Sequence, residues 1–210
     1  MKLKLPNMIP VFPLSGIIFF PKTNLPLNIF EPRYLTLVND CIKSDKYMGM
    51  IQSKKDSSDV YTVGCLGKIT ENKLTKDGRM IVNLTGVSRF TIKTEINNDK
   101  PYREFNISYD KFSDDLNSEK NKTKIAEKIK ELYEKTKIFF NKNGLMLNWR
   151  EFEKLDQDQK INTLAMIAPI SNEEKQSVLE SVHIESKTKV LSEIIEFYLH
   201  GNSISELTLQ

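Results

Sequence analysis

Four charged side chains in the first half of the chain could together form a small-molecule site. Glu31 and Arg33 flank a proline, and Arg79 and Arg89 follow in later strand-like segments. A pocket with a few convergent polar groups is the usual form of such a site. One hypothesis is therefore a small-molecule hydrolase or ligand-binding protein that uses a groove between two lobes.

The sequence motifs of common enzyme classes are missing from this chain. It has no Gly-x-x-x-x-Gly-Lys-Ser/Thr phosphate loop, no Gly-x-Gly-x-x-Gly after a strand and no Gly-x-Ser-x-Gly nucleophile elbow. The histidines, His183 and His200, and the cysteines, Cys41 and Cys65, lack the spacing of metal ligands. The sequence thus predicts a non-catalytic protein with no metal site and no cofactor.

Composition and charge argue against a nucleic-acid partner. The 210 residues include 31 basic and 28 acidic side chains, for a formal net charge of +3. This balance is unlike the strongly basic face of most nucleic-acid-binding proteins. Glu127, Glu131 and Glu134 are interspersed among the lysines of one helical segment, which predicts a solvated surface there. Nucleic-acid binding stays open as an alternative, and it would show as a salt-dependent affinity.

The sequence carries no signal for secretion or membrane insertion. Residues 1–6 lack the apolar stretch of a signal peptide, and no segment approaches the roughly 18 apolar residues of a membrane span. Cys41 and Cys65 lie in apolar segments, which predicts two buried thiols and no disulfide. We expect a cytoplasmic protein.

Residues 1–113 are predicted to form a β-rich lobe with one helix. The helix begins near Pro32, an early helical position, and runs to about Ser44. Prolines in the apolar runs predict edge or bulged strands, and Asp77-Gly78 predicts a hairpin turn. Strands are expected at residues 8–12, 17–20, 25–30, 47–52, 61–72, 79–84, 88–96 and 102–109. Successive hairpins suggest a twisted sheet that closes towards a small barrel.

Residues 114–210 change to a helical period and are predicted to form a bundle of four amphipathic helices. The first helix carries an apolar stripe from Ile125 to Phe140. Two helices begin at capping boxes, at Asp156 and Ser171, and the last is expected to end at Gly201. The predicted fold class is α+β, with a β-rich pseudo-barrel lobe followed by an α-helical lobe.

An ordered series of motifs runs through the first half of the chain. The motifs are IPVFPL at residues 9–14, FP at 20–21, LPLNIFEPRY at 25–34, VGCLGKI at 63–69, DGR at 77–79 and LTGVSRF at 84–90. This series resembles the N-terminal, substrate-binding domain of the ATP-dependent Lon proteases, in its free-standing bacterial form. The resemblance covers residues 8–200 and is most specific around Ile29 to Tyr34.

The resemblance implies a module that recognises unfolded or damaged proteins. In full-length Lon, other domains supply ATP hydrolysis and a Ser-Lys peptidase, and neither the phosphate loop nor the peptidase region occurs in these 210 residues. No catalytic residue can therefore be carried over. The implied role is an adaptor that binds unfolded or partner protein segments and works with a separate protease or chaperone. A homodimer is compatible with this role.

The motif residues are candidates for peptide contact if some of them line a groove between the lobes. These candidates are Phe12, Phe20, Pro21, Ile29, Phe30, Arg33, Tyr34 and Arg89. In this hypothesis an extended peptide lies along an open strand edge. The apolar candidates also have a structural interpretation, because such residues are more often part of a core.

The charged motif residues have a structural alternative, because partly buried charges must be paired. The residues expected in this role are Glu31, Asp77 and Arg79. Glu31 and Arg33 are expected to connect the first helix with Arg89 or Asp77. The two aspartates at residues 114–115 are expected to cap the start of a helix.

Overall fold

The structure is a computed structural model that describes residues 5–116 and 125–207. Residues 1–4, part of the segment without a signal-peptide pattern, lie outside the described residues. The chain divides into two compact units, Met1–Ser118 and Glu119–Gln210. The first unit is β-rich and the second is helical, so the predicted α+β fold class is confirmed.

Six strands form one sheet in the first unit, and most of this sheet closes into a ring. The strands are β1 (Met8–Leu14), β2 (Asn24–Ile29), β3 (Tyr47–Gln52), β4 (Val63–Leu74), β5 (Met80–Ile96) and β6 (Arg103–Ser108). Their order is β2-β5-β4-β3-β1-β6, and β6 also pairs with β5. Five strands thus close the ring and β2 extends the sheet at β5, so the predicted closure towards a barrel is confirmed. The pair of β1 with β3 is parallel, and the other pairs are antiparallel.

Pro10 and Pro13 lie inside β1, which has a neighbour on each side. The last four residues of β1 pair with β3, and the first four pair with β6. Alternate residues direct their backbone groups to opposite sides of a strand, and Ile107 N donates to Asn7 O, so odd-numbered residues face β6. Pro13 therefore points towards β6, but the pairs with β6 end at Val11. Pro10 points towards β3, but the pairs with β3 begin at Val11. The prediction of an edge or bulged strand is wrong for β1, which tolerates the prolines because neither falls where the ladder needs its N–H. It is confirmed for β2, an edge strand that contains Pro26.

Two other expectations for the first unit are wrong. Residues 17–20 do not form a strand; the segment is irregular, and Ile18, Phe19 and Phe20 are buried. The segments 79–84 and 88–96 belong to one continuous strand, β5. This strand continues because β4 pairs with it as far as Thr91 and β6 pairs with it from Thr91 onwards, so it has a neighbouring strand along its length.

Helix α1 (Pro32–Lys43) connects β2 to β3, as predicted. Pro32 at the first position has no N–H to leave unpaired, and its fixed φ suits a helix. Tyr34, Leu37, Val38 and Cys41 recur at helical spacing and are buried. The charged side chains at the start of the helix stay at the surface.

Glycine permits close packing at the centre of the ring. A cluster of buried residues fills this region, namely Ile9, Val11, Ile51, Leu66, Phe90, Phe105 and Ile107. A Cβ atom on Gly64 would lie 2.5 Å from Met50 O and 2.7 Å from Phe90 Cζ, so no side chain fits there. The register of β4 against β5 also shifts between Leu66 and Gly67. Gly64 thus marks a close approach to the backbone of β3, and a β-bulge lies beside Gly67.

The second unit consists of helices. They are α2 (Ala126–Lys142), α3 (Trp149–Phe152), α4 (Gln157–Ile167), α5 (Asn172–Glu180) and α6 (Ile184–Leu207). Helix α6 packs against α2, α4 and α5. The capping boxes predicted at Asp156 and Ser171 are confirmed, since each side chain accepts from the backbone N–H three residues later. Within the described ranges, no helix is both long and apolar enough to cross a membrane.

Three expectations for the helices are wrong. Helix α3 was not predicted, because four residues are too few to give a periodic signal. Helix α6 continues through Gly201 instead of ending there. Asp115 lies in a 3-10 segment, Asp110–Leu116, and does not cap a helix; its partner is described below.

Candidate functional site

An open groove on the first unit gathers residues from five parts of the chain. It has a volume of about 690 Å³, and we call it the α1 groove. Its lining comprises Phe12, Pro13, Leu14, Ser15, Glu31, Arg33, Tyr34, Ser53, Ser57, Ser58, Glu95 and Arg103. The end of β1, the start of α1, the loop after β3 and the adjoining ends of β5 and β6 therefore meet here.

Tyr34 forms the aromatic centre of the α1 groove. Its ring meets the ring of Phe12 edge-on, with 4.1 Å between centroids and 75° between planes. The guanidinium of Arg33 lies 4.5 Å from the Tyr34 centroid, a cation–π contact. Burial raises the pKa of the Tyr34 hydroxyl, and the positive charge of Arg33 opposes this rise.

The Tyr34 hydroxyl is a polar group that can serve a ligand. The residue is only 7% exposed, yet its hydroxyl has no hydrogen-bond partner anywhere in residues 5–116 or 125–201. The hydroxyl is not one of the buried atoms that lack a partner, so it faces the open groove, where a ligand group can replace water as its hydrogen-bond partner. The wall that Phe12 and Tyr34 form in the α1 groove thus combines apolar surface with one hydroxyl group.

Two ion pairs form the charged walls of the α1 groove. Arg33 Nε donates to Glu31 Oε2 at 3.0 Å, across the proline at the start of α1. Arg103 binds both oxygens of Glu95, at 2.6 and 2.7 Å, and its Nη1 donates to Ser58 O at 2.9 Å. These hydrogen bonds from Arg103 lower the pKa of Glu95. Since each arginine is balanced by a carboxylate, the groove is not a strongly positive site for phosphate.

Most of the predicted aromatic and apolar contact residues belong to the interior. Phe20, Pro21 and Ile29 are buried away from the groove lining. Phe12 is also buried, but one side of it lines the groove through its contact with Tyr34. Phe30 is the exception, because 65% of its surface is exposed at the end of β2.

Arg89, another predicted contact residue, is a structural residue. It is 1% exposed, and its guanidinium lies 4.3 Å from the centroid of the Phe112 ring. Asp115 Oδ1 accepts from its Nη2 at 2.7 Å, and Asp115 Oδ2 accepts from its Nε at 2.9 Å. This pair fastens the 3-10 segment to β5, so Arg89 is inaccessible to a peptide.

The charged motif residues pair differently from the prediction. Glu31 pairs with Arg33, and Asp77 pairs with Arg79 at the β4–β5 turn, with 2.9 Å between Asp77 Oδ2 and Arg79 Nε. The expected connections from α1 to Arg89 or Asp77 do not form, because each of these residues has a partner of its own. The four groups proposed above for a small-molecule site therefore fall into three separate ion pairs.

Sequence reasoning missed the far wall of the α1 groove. Glu95 and Arg103 lie on either side of the turn that joins β5 to β6, and Ser57 and Ser58 lie in the loop after β3. One signal was present, because opposite charges on consecutive strands of a predicted hairpin are candidates for pairing. The serines carry no local signal.

The second unit has a smaller hollow of about 240 Å³. Its lining comprises Ala126, Ile129, Lys130, Tyr133, Glu153, Gln157 and Lys160. The Tyr133 hydroxyl donates to Glu153 Oε1 at 2.8 Å, so the main polar group of this hollow is already satisfied. Its walls are mostly the surfaces of α2 and α4.

The described residues contain no cluster that resembles a metal site. No group of three or more His, Cys, Asp or Glu side chains within the described ranges is placed to hold a metal ion. Cys41 and Cys65 are buried free thiols, as predicted from their apolar segments. Burial raises the pKa of Cys41 to about 12, which keeps this thiol protonated at neutral pH.

Similar proteins share both the sequence pattern and the architecture. The Lon protease of Desulfosudis oleivorans is 25% identical over 198 residues, which cover 89% of this chain and 23% of the relative. Lon protease 2 of Myxococcus xanthus is 24% identical over 207 residues, which cover 91% of this chain and 24% of the relative. The chain therefore spans about a quarter of the length of these curated relatives.

Two solved structures have the same fold. The crystal structure of the Lon N-terminal domain protein from Xanthomonas campestris superposes with a TM-score of 0.63 at 19% identity, and covers 88% of this chain and 96% of that one. The N-terminal domain of Mycobacterium avium complex Lon protease gives a TM-score of 0.68 at 13% identity, with 90% and 98% coverage. At these identities the likeness concerns the fold.

The family model described as the ATP-dependent protease La (LON) substrate-binding domain matches residues 8–196. This match covers nearly the whole chain and includes every motif from which the resemblance was drawn. The protein therefore belongs to the family of the Lon substrate-binding domain.

Proposed function

We propose that this chain binds extended segments of unfolded or damaged proteins, without acting on them chemically, and that the α1 groove is the contact site. The observation that carries this proposal is the Tyr34 side chain, whose ring packs against Phe12 in the wall of the open groove and whose hydroxyl makes no hydrogen bond to another described residue. The family description, a substrate-binding domain, supports the same class of ligand.

The composition of the groove favours a polypeptide over an anion. Both arginines in its walls are held by carboxylates, so little net charge is left to attract phosphate. A volume of about 690 Å³ accommodates a few amino-acid side chains. Tyr34 supplies a hydroxyl for a backbone or side-chain group, and Phe12 supplies apolar contact. This combination suits clients of varied sequence.

The open strand edges nearest the groove are poorly suited to strand addition. On β1 the residue that faces the unpaired side is Pro13, which has no N–H to donate. A bound segment would therefore be held through its side chains and through single hydrogen bonds, rather than as an added strand. This modifies the expectation that a peptide lies along a strand edge.

The test is the affinity for a permanently unfolded protein, reduced and carboxymethylated α-lactalbumin, measured by fluorescence anisotropy. Tyr34→Phe removes one hydrogen-bonding group and should weaken binding about two- to tenfold. Tyr47→Phe is the matched control, because Tyr47 lies at the start of β3 outside the groove lining, and it should bind like the wild type. Absence of wild-type binding would refute the proposed function, and equal effects of the two variants would refute the assignment to the α1 groove.

An adaptor role extends the proposal to a second partner. In this role the chain presents its bound segment to a separate protease or chaperone. The test is a pull-down with this chain as bait, with and without unfolded client, that measures the recovery of a protease or chaperone. Client-dependent recovery of a protease or chaperone supports the adaptor role, and recovery of client alone restricts the function to binding.

A further inference from the structure

The far end of β4 is an open strand edge. Strand β3 pairs with β4 only at residues 65–68, and beyond that point residues 70–74 are bonded to β5 on one side. No strand in the described ranges pairs with their other side. All five residues are exposed, and Leu74 is 67% exposed. This part of β4 therefore projects from the ring with both faces and one edge accessible.

The hydrogen bond of the β4–β5 turn shows which backbone groups of this edge point outwards. Thr75 N donates to Arg79 O at 2.8 Å, which makes these two residues a hydrogen-bonded pair. Because such pairs alternate along antiparallel strands, Lys73 bonds to β5, while the N–H and C=O of Asn72 and Leu74 point outwards. An edge with unpaired donors and acceptors is a template for another strand.

The opposite edge of the sheet, formed by β2, is protected. Gly86 N donates to Thr23 O at 2.9 Å, so by the same alternation the even-numbered residues of β2 face outwards. Pro26 is the middle residue of that outward set, and it has no N–H for an added strand. Residues 70–74 contain no proline. The β4 edge thus lacks the protection that β2 carries.

Two charges on the β4 edge complement each other across a two-fold axis. Glu71 and Lys73 flank Asn72, and neither has an ion-pair partner in the described part of the chain. If Asn72 lies opposite Asn72 of a second copy in an antiparallel pair, Glu71 of each copy faces Lys73 of the other. A register centred on Lys73 would instead oppose two lysines, and one centred on Glu71 would oppose two glutamates, which is unfavourable.

We propose that two copies of this chain pair through their β4 edges, antiparallel, with Asn72 on the two-fold axis. The two Asn72 residues exchange both of their outward hydrogen bonds. The adjacent Glu71–Lys73 pairs occupy non-hydrogen-bonded positions, where opposed Cα atoms are only about 4.5 Å apart and the side chains interact most strongly. The partner is a second copy because this register places both charged residues of the segment, Glu71 and Lys73, opposite residues of the other sign.

The contact is small, which determines how the dimer behaves. Five residues span about 17 Å of strand. Pairing over this length buries much less surface than the roughly 1,600 Å² of a standard stable interface. We therefore expect a weak dimer whose population rises with protein concentration. Its two exposed ion pairs should also make it weaker at high salt.

The test is sedimentation velocity over a wide range of protein concentrations. The wild type should reach the dimer mass, and Asn72→Pro, which removes the outward N–H, should weaken the dimer at least about tenfold, the effect of losing roughly 1.4 kcal/mol. Asn72→Ala keeps the N–H and should dimerise like the wild type. Asn72→Pro should keep the wild-type circular dichroism spectrum, since this N–H makes no bond within the chain.

Charge reversal gives a second measurement that does not depend on proline. Glu71→Lys and Lys73→Glu should each prevent self-association, because each places like charges opposite one another. The double variant Glu71→Lys/Lys73→Glu should dimerise again, and an equimolar mixture of the two single variants should form a heterodimer. A monomeric wild type, or equal dimerisation of all the variants, would overturn the proposal. Loss of unfolded-client binding by Asn72→Pro, with a monomeric wild type, would also overturn it and assign the edge to clients.

Discussion

Arg89 and Asp115 are 26 residues apart in the sequence and are joined by three hydrogen bonds. Asp115 Oδ2 accepts from both the backbone N–H and the Nε of Arg89, at 2.8 and 2.9 Å, while Oδ1 accepts from Nη2 at 2.7 Å. The side chains are 2% and 7% exposed. The carboxylate thus closes the 3-10 segment onto β5 and neutralises a buried guanidinium.

Removing this carboxylate should destabilise the first unit strongly. Asp115→Ala removes the carboxylate that accepts three hydrogen bonds from the buried Arg89, and we expect the free energy of unfolding to fall by about 3–5 kcal/mol. Urea denaturation followed by circular dichroism measures the change. Asp77→Ala is the control, because its pair with Arg79 is exposed and should contribute little. Equal stability of the two variants would show that the buried pair is not structural.

A side chain at Gly64 should not be tolerated. In Gly64→Ala the new Cβ would lie 2.5 Å from Met50 O and 2.7 Å from Phe90 Cζ, and the first of these is a backbone atom that cannot move away. We expect a loss of about 3 kcal/mol of stability or more, the upper range for overpacking. Gly201→Ala, where nothing lies within 4 Å of the new Cβ, should leave the melting temperature unchanged or raise it slightly. Equal melting temperatures for Gly64→Ala and the wild type would contradict the close approach of β3 and β4.

The Cys41 thiol should be inert in the folded protein. Its pKa is raised to about 12, first by burial and then by the negative charge of Asp40. Since the thiolate is the reactive form, Ellman's reagent should modify Cys41 slowly at pH 8 and rapidly after unfolding in urea. A Cys65→Ser variant isolates the Cys41 signal. Fast labelling without denaturant would mean that α1 opens readily.

The Glu95 carboxyl should titrate below its ordinary value of about 4.3. Hydrogen bonds from Arg103 are the largest cause, and they stabilise the ionised form. Because the pKa is lower in the folded state, the pair stabilises the protein above the ordinary pKa, and this contribution is lost as pH falls through the lowered value. Carbon-detected NMR of the Glu95 carboxyl should show the low pKa in the wild type and a return to the ordinary value in Arg103→Gln. An unchanged titration in that variant would remove Arg103 as the cause.

Local chemistry made several elements predictable from the sequence. Helix α1 begins at a proline, the β4–β5 turn uses Asp77-Gly78, and two helices begin at the capping boxes of Asp156 and Ser171. Each of these signals depends on contacts within about four residues, so no knowledge of the rest of the fold is needed. The motif series of the first half likewise identified the family, because it is read directly from residue order.

The tertiary structure alone decided which charges meet and which backbone groups stay open. Arg89 pairs with Asp115 and not with Glu31. The ion pair of Glu95 with Arg103 forms a wall of the α1 groove, and β1 pairs in parallel with β3. These relationships depend on strand order and register, which bring together residues that are distant in the sequence. The outward direction of the Asn72 N–H likewise depends on tertiary structure. It follows from the pairing with β5, because residues that alternate with those bonded to β5 point to the opposite side.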